Sequence, residues 1–138
     1  MKNLQNLQKV LLVEDNRPDI WLITKLFKQC GQSLEYAMDG PTGLNMIMAN
    51  RYDLVLLDLN LPGLSGFEVL SALRSVGDLT PVVVLTSSER EADIVKAYET
   101  GASSYTVKPT DHDSFLALVK AISQFWRWNL PAPKTRTR

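Results

Sequence analysis

The chain has 138 residues, 45% hydrophobic and 22% charged, which suits one domain with a real core. Fifteen basic residues balance fifteen acidic ones, so no net charge draws the chain to nucleic acid or to an anionic membrane. No stretch approaches the roughly 20 apolar residues of a membrane span, and the polar start Met1–Lys9 lacks a signal-peptide core, so a cytoplasmic protein is expected.

Residues 1–8 read as a tail before the first apolar run, Val10–Val13, which ends at the acidic pair Glu14-Asp15. Asn16 is placed to cap a helix with Pro18 in its first turn. Ile20, Ile23, Phe27 and Cys30 share one face of that helix, with Leu22 and Leu26 beside it; Trp21 falls outside and reads as a surface aromatic. The sole cysteine, Cys30, has no internal disulfide partner and is expected as a buried thiol. A second run, Leu34–Met38, is broken by Asp39-Gly40-Pro41 before a helix around Thr42–Asn50.

The third run, Leu54–Leu57, leads straight into Asp58, and Ser65-Gly66 then opens a helix over Gly66–Val76, closed by Gly77-Asp78. The fourth, Val82–Leu85, is followed by Thr86, Ser87 and Ser88. Ser88 is expected to cap a helix over Glu89–Thr100 that ends at Gly101. The third and fourth runs are unbroken Val and Leu, as in strands buried on both faces. The fifth, Ser103–Val107, ends at Lys108-Pro109, where a cis peptide is expected to aim the ammonium inward. His112 opens the last helix as a surface or capping residue. Phe115, Leu118, Val119, Ile122, Phe125 and Trp126 form that helix's stripe. Trp128 and Leu130-Pro131 add apolar bulk. The basic tail beyond is expected to be disordered, so the domain covers 9–127 and an extension 128–138.

Strands alternating with helices in one short domain predict a parallel sheet covered on both faces. Right-handed crossovers place helices 1 and 5 on one face and 2, 3 and 4 on the other. This pattern leaves the strand order open.

In such a sheet the groups after each strand converge on one edge, which collects Glu14, Asp15, Asp58 and Lys108. Three neighbouring carboxylates repel one another unless a cation is present, and Mg²⁺, with its preference for oxygen ligands, water and substrate phosphate, suits them best. The backbone carbonyl near Asn60 is a candidate further ligand. Asp58 is a candidate nucleophile for an aspartyl phosphate. Lys108 would meet one phosphoryl oxygen, and the Thr86 hydroxyl with backbone N–H groups after strand 4 another, the small Ser87 and Ser88 leaving room.

Taken together, these residues resemble the receiver domain of two-component response regulators, from about Lys9 to Trp126. The motifs are Glu14-Asp15, Asp58 with Pro62 and Gly66, Thr86, Gly101-Ala102 with Tyr105, and Lys108-Pro109. The resemblance implies a flavodoxin-like three-layer α/β/α sandwich of five parallel strands in order 2-1-3-4-5. It implies phosphorylation of Asp58 by a histidine kinase or phosphotransfer protein, with Mg²⁺ held by Glu14, Asp15, Asp58 and the Asn60 carbonyl. Thr86 becomes the switch hydroxyl, Lys108 the phosphate partner, and Tyr105 the aromatic that rotates as Thr86 moves. Asn60 and Ser88 take positions that tune phosphate lifetime. Members usually carry an output domain after the last helix, whereas this chain ends, so the signal is expected to leave through protein contacts. The ending Phe125-Trp126-x-Trp128-x-Leu130-Pro131 resembles single-domain regulators partnered with phytochrome-type kinases. A homodimer through strand 5, helix 5 and that extension is expected.

Two other classes stand beside this reading. A metal-dependent phosphatase-like enzyme would use Asp58 for turnover, but such enzymes place a general acid two residues on, where Asn60 stands. A receiver-like adaptor would never be phosphorylated, although every chemical residue is present. The favoured expectation is a signalling module, not an enzyme.

Overall fold

The computed structural model describes residues 9–128, the side chains of 126–128 excepted. In chain order the elements are β1 Val10–Val13, α1 Arg17–Gln29, β2 Leu34–Ala37, α2 Gly40–Ala49, β3 Leu54–Leu57 and α3 Gly66–Ser75. β4 Val82–Thr86, α4 Glu91–Thr100, β5 Ser104–Val107 and α5 His112–Trp128 complete the fold. All five strands are parallel, in the order β2-β1-β3-β4-β5. This is the flavodoxin-like sandwich, strand order included.

Burial explains which runs became central strands. Every residue of β1, β3 and β4 is buried, whereas β2 and β5, at the edges, are partly exposed. One apolar layer joins Leu12, Leu56 and Leu85 to Ile23, Phe27, Phe115 and Val119 of α1 and α5. The opposite layer joins Val13, Val55 and Leu57 to Ile47, Val69 and Leu73 of α2 and α3. Ala97 of α4 packs on Leu59 and Val84, on the side of α3. The expected division of helices between the two faces is therefore observed.

The caps match the sequence at three helix ends and correct it at the start of α4. Asn16 accepts from the Asp19 N–H at 2.9 Å and starts α1. Ser65 and Glu68 exchange side-chain-to-backbone bonds and start α3. Gly101 ends α4 at φ 114°, in the left-handed region where a glycine avoids the Cβ clash. Ser88, however, does not cap α4. That helix starts at Glu91 after Arg90, which offers no side-chain cap, and the Ser88 hydroxyl instead donates to Asp93 at 2.6 Å. At α2 the Asp39 side chain accepts from Thr42 N–H, so the helix begins at Gly40, two residues before the expected start.

Four further expectations are settled here. Trp21 is exposed, as its position off the stripe required. Cys30 packs against the α1 and α5 core layer but is only partly buried, because it is the C-cap at the end of α1. The Lys108–Pro109 peptide is trans, since no described peptide bond is cis. The lysine's long side chain supplies the inward reach. His112 is exposed at the start of α5, where Asp111 makes the cap by accepting from Ser114 N–H.

Candidate functional site

The parallel register builds the site. Val13 pairs with Leu57, and Leu57 with Val84, so the residues that follow β1 and β3 emerge side by side. Glu14 N–H bonds Ala37 O at 2.9 Å and Asp58 N–H bonds Val13 O at 3.1 Å, carrying the ladder one step past the strands. Glu14 and Asp58 are thereby held nearly out of water, while Asp15 turns outward. Carboxylate oxygens of all three lie within 4.8 Å of one another.

Lys108 enters from the end of β5, its N–H bonded to Thr86 O at 2.7 Å. Its ammonium donates to Glu14, to Asp19 at 2.9 Å and to Asp58 at 3.1 Å. Burial alone would lower the lysine's pKa. The bonds to Asp19 and Glu14 and the charge of Asp58 outweigh burial and hold it above the ordinary range. Glu14 is pushed up to about 7, chiefly by burial and further by the charge of Asp58, against the bond from Lys108. The cluster is thus short of positive charge even with Lys108 in place. A hard divalent cation fits it: the donors are all oxygen, one of them on an exposed residue that leaves an approach from water.

The remaining residues surround this centre. Asn60 N–H donates to Asp58 Oδ1 at 3.3 Å, folding the loop over the carboxylate. Thr86 is fully buried at the end of β4, its hydroxyl oxygen 3.5 Å from Ser88 N. Ser87 is exposed, and with Asn60, Ser88, Arg90 and Asp93 it lines a cavity of about 610 Å³. Tyr105 is half-buried against Leu59, Val84 and Ala97, and its hydroxyl donates to Ser88 O at 3.0 Å. The loop after β4 therefore touches both the expected switch hydroxyl and the expected switch aromatic.

The structure brings Glu14, Asp15, Asp58 and Lys108 together and sets Thr86, Ser87, Asn60 and Tyr105 around them. Phe125 lies apart from the cluster, on α5, and is 59% exposed. Trp126 and Trp128 belong to α5 by their backbone; their side chains, Leu130 and the rest of the extension lie outside the described residues. Asp19 was not singled out in the sequence, although it contacts Lys108 directly. The signal was faint: an acid in the first turn of a helix that follows an acidic strand end. An apolar groove of about 420 Å³ runs along α1 and β2, lined by Trp21, Tyr36 and Met38 among others. No carboxylate lines it, whereas the acidic cluster lies at the strand ends.

Residues 10–120 match the response regulator receiver domain model. The chain belongs to that family. Transcriptional regulatory protein DltR of Streptococcus agalactiae is 38% identical over 112 residues, covering 81% of this chain and 50% of the relative. Transcriptional regulatory protein HprR of Escherichia coli is 35% identical over 113 residues, covering 82% and 50%. The receiver thus spans about half the length of the curated relatives it matches. Among solved structures, the phosphorylated cyanobacterial phytochrome response regulator RcpA superposes with a TM-score of 0.82 at 33% identity, over 90% of this chain and 97% of that one. The Mn²⁺-bound form of response regulator Rcp1 gives 0.83 at 32%, over 92% and 99%. Phosphorylation on aspartate is general for receivers, and an acidic pocket that binds Mg²⁺ or Mn²⁺ is typical of them.

Proposed function

We propose that this receiver accepts a phosphoryl group on Asp58 from a sensor histidine kinase or phosphotransfer protein and passes the signal on by protein contact. One observation carries the reading: Asp58 has Lys108 Nζ at 3.1 Å and shares a 4.8 Å cluster with Glu14 and Asp15. An Asp58 oxygen attacks the phosphorus of a phosphohistidine. The nitrogen–phosphorus bond breaks, and its electron pair returns to the imidazole. The product is an acyl phosphate. The nucleophile is a carboxylate oxygen and not a hydroxyl, so no proton has to be taken from it by a general base.

Glu14, Asp15 and Asp58 would hold Mg²⁺ with the Asn60 carbonyl, and the bound ion neutralises charge on the transferred group. Lys108 offsets further charge, and Thr86 with the N–H groups around Ser87 and Ser88 receives the outer oxygens. Once Thr86 is drawn toward the phosphoryl group, Tyr105 follows through their common contact with the Ser88 segment. The receiver catalyses only its own phosphorylation and dephosphorylation. A turnover phosphatase needs a general acid near Asp58, and Asn60 offers only its N–H there.

The likeness to RcpA, a cyanobacterial phytochrome response regulator, supports a phytochrome-type sensor kinase as the donor. The exposed Phe125 on α5 supports a homodimer through β5, α5 and the extension with Trp126, Trp128 and Leu130. Light scattering with and without beryllofluoride at tens of micromolar should report a dimer; a monomer in both states refutes that part.

Incubation with Mg²⁺ and acetyl phosphate should add one phosphoryl mass, and Asp58→Asn should abolish it. Steady phosphate release from many substrates would instead indicate a phosphatase. No adduct under any donor would indicate an adaptor.

A further inference from the structure

An ammonium has three N–H donors, and in this receiver all three of Lys108's are spent on carboxylates: Glu14, Asp19 at 2.9 Å and Asp58 at 3.1 Å. The Lys108 side chain is only 10% exposed, so water offers it little alternative partnership. A phosphoryl oxygen arriving at Asp58 can therefore bond Lys108 only by displacing one of the three.

The three acceptors differ in what release would cost. Glu14 is 1% exposed, and freeing its carboxylate would leave a buried charge without its cation. Asp58 loses its own negative charge in the acyl phosphate, so its bond from Lys108 passes to the phosphoryl group, and the added dianion then competes for the rest of the ammonium. Asp19 has a side chain 29% exposed and sits in the first turn of α1, where water and the positive end of the helix both receive a freed carboxylate. Its backbone is pinned by its own N–H bond to Asn16, so the side chain alone has to swing. Asp19 is also an acid 2.9 Å from the ammonium that would meet the dianionic group, and it is not one of the Glu14, Asp15 and Asp58 cluster.

We propose that Asp19 is a positioning residue: it holds Lys108 while Asp58 is unmodified and competes with the phosphoryl group for that ammonium. This inference rests on the phosphoryl-acceptor reading of Asp58. It gives the receiver a built-in counterweight to phosphorylation, carried by one side chain 89 positions from the lysine it restrains.

The test uses the full chain with Mg²⁺ and beryllofluoride as the phosphoryl mimic, read by ¹⁹F NMR and calorimetry. Wild type should bind and Asp58→Asn should not; failure there overturns the acceptor reading itself. Given that binding, Asp19→Asn and Asp19→Ala should each bind beryllofluoride about threefold or more tightly than wild type, since a like charge near the anion is removed. Mg²⁺ affinity measured alone should stay level or fall. Unchanged or weaker beryllofluoride binding in the folded Asp19→Asn variant overturns the inference. So does tightening of Mg²⁺ by the same factor, which would make Asp19 a general field effect rather than a competitor for Lys108. Asp19→Asn keeps the shape of the side chain, so the test does not depend on the alanine variant folding.

Discussion

Gly66 shows how closely the backbone is fitted around Asp58, the proposed phosphoryl acceptor. A Cβ at that position would sit 2.3 Å from Asp58 O and 2.8 Å from Leu59 Cα, both backbone atoms with nowhere to go. The Gly66 N–H meanwhile bonds Leu59 O at 2.9 Å, so α3 starts pressed against the end of β3. Gly66→Ala should destabilise the domain by about 1–3 kcal/mol, the usual cost of overpacking, and should slow phosphorylation by shifting Asp58. Urea denaturation and acetyl phosphate kinetics check the two halves separately. Retained stability and rate would show that the loop yields more easily than its contacts imply. That Gly66 belongs near the site was legible only through the family resemblance, as part of the motif with Asp58 and Pro62. That Asp19 belongs was not, because its contact partner lies on a different strand end and nothing local pairs the two.

At the scale of single elements, start signals were legible where a side chain makes the cap. Asn16 and Ser65 did so, and α1 and α3 begin where those residues placed them. Ser65→Ala removes one half of a reciprocal box and should cost about 1 kcal/mol, seen as a lower urea midpoint with an unchanged slope; a shift within error would mean Glu68 holds the turn alone. The start of α4 was misplaced because Ser88 has a competing use, bonding Asp93 across the loop and receiving the Tyr105 hydroxyl on its carbonyl. The caps of α2 and α5 bring a pH dependence. Asp39 and Asp111 are held below the usual carboxylate range by the backbone N–H groups they accept from. Because their folded pKa values are depressed, the stability they add is present above the unfolded pKa of about 4 and is lost as pH falls through the folded values. Asp39→Asn with Asp111→Asn should flatten the acid limb of a stability–pH curve. An unchanged limb would show that these two caps do not set the acid sensitivity.

For the whole molecule, the cluster sets a conflict between function and stability. Five parallel strands deliver three acids to one edge, and Glu14 stays buried there with its pKa raised to about 7. An ion that binds the folded state alone relieves this conflict and adds stability by mass action, about 2.7 kcal/mol at a concentration 100-fold above its dissociation constant. Millimolar Mg²⁺ should therefore raise the thermal midpoint of wild type. In Asp15→Asn the increment should shrink or vanish, because this exposed candidate ligand can be removed without disturbing the core. An undiminished increment would place the ion elsewhere. Other parts of the assembly are structural: Arg74 bonds Gly101 O and Asp78 O, tying the end of α3 to the turn before β5.

By its own order of residues, the sequence determined the alternation of buried strands and helices, the acids after β1 and β3, the lysine after β5, and the resemblance that these together carry. Those follow from periodicity and from short-range chemistry, which are written along the chain. Only the tertiary structure decided that Asp19 shares Lys108 with Glu14 and Asp58, that Ser88 serves the β4–α4 loop rather than a helix cap, and that Glu14 is buried while Asp15 faces water. Each depends on distances between elements far apart in sequence, which parallel pairing and helix packing fix and no local pattern encodes.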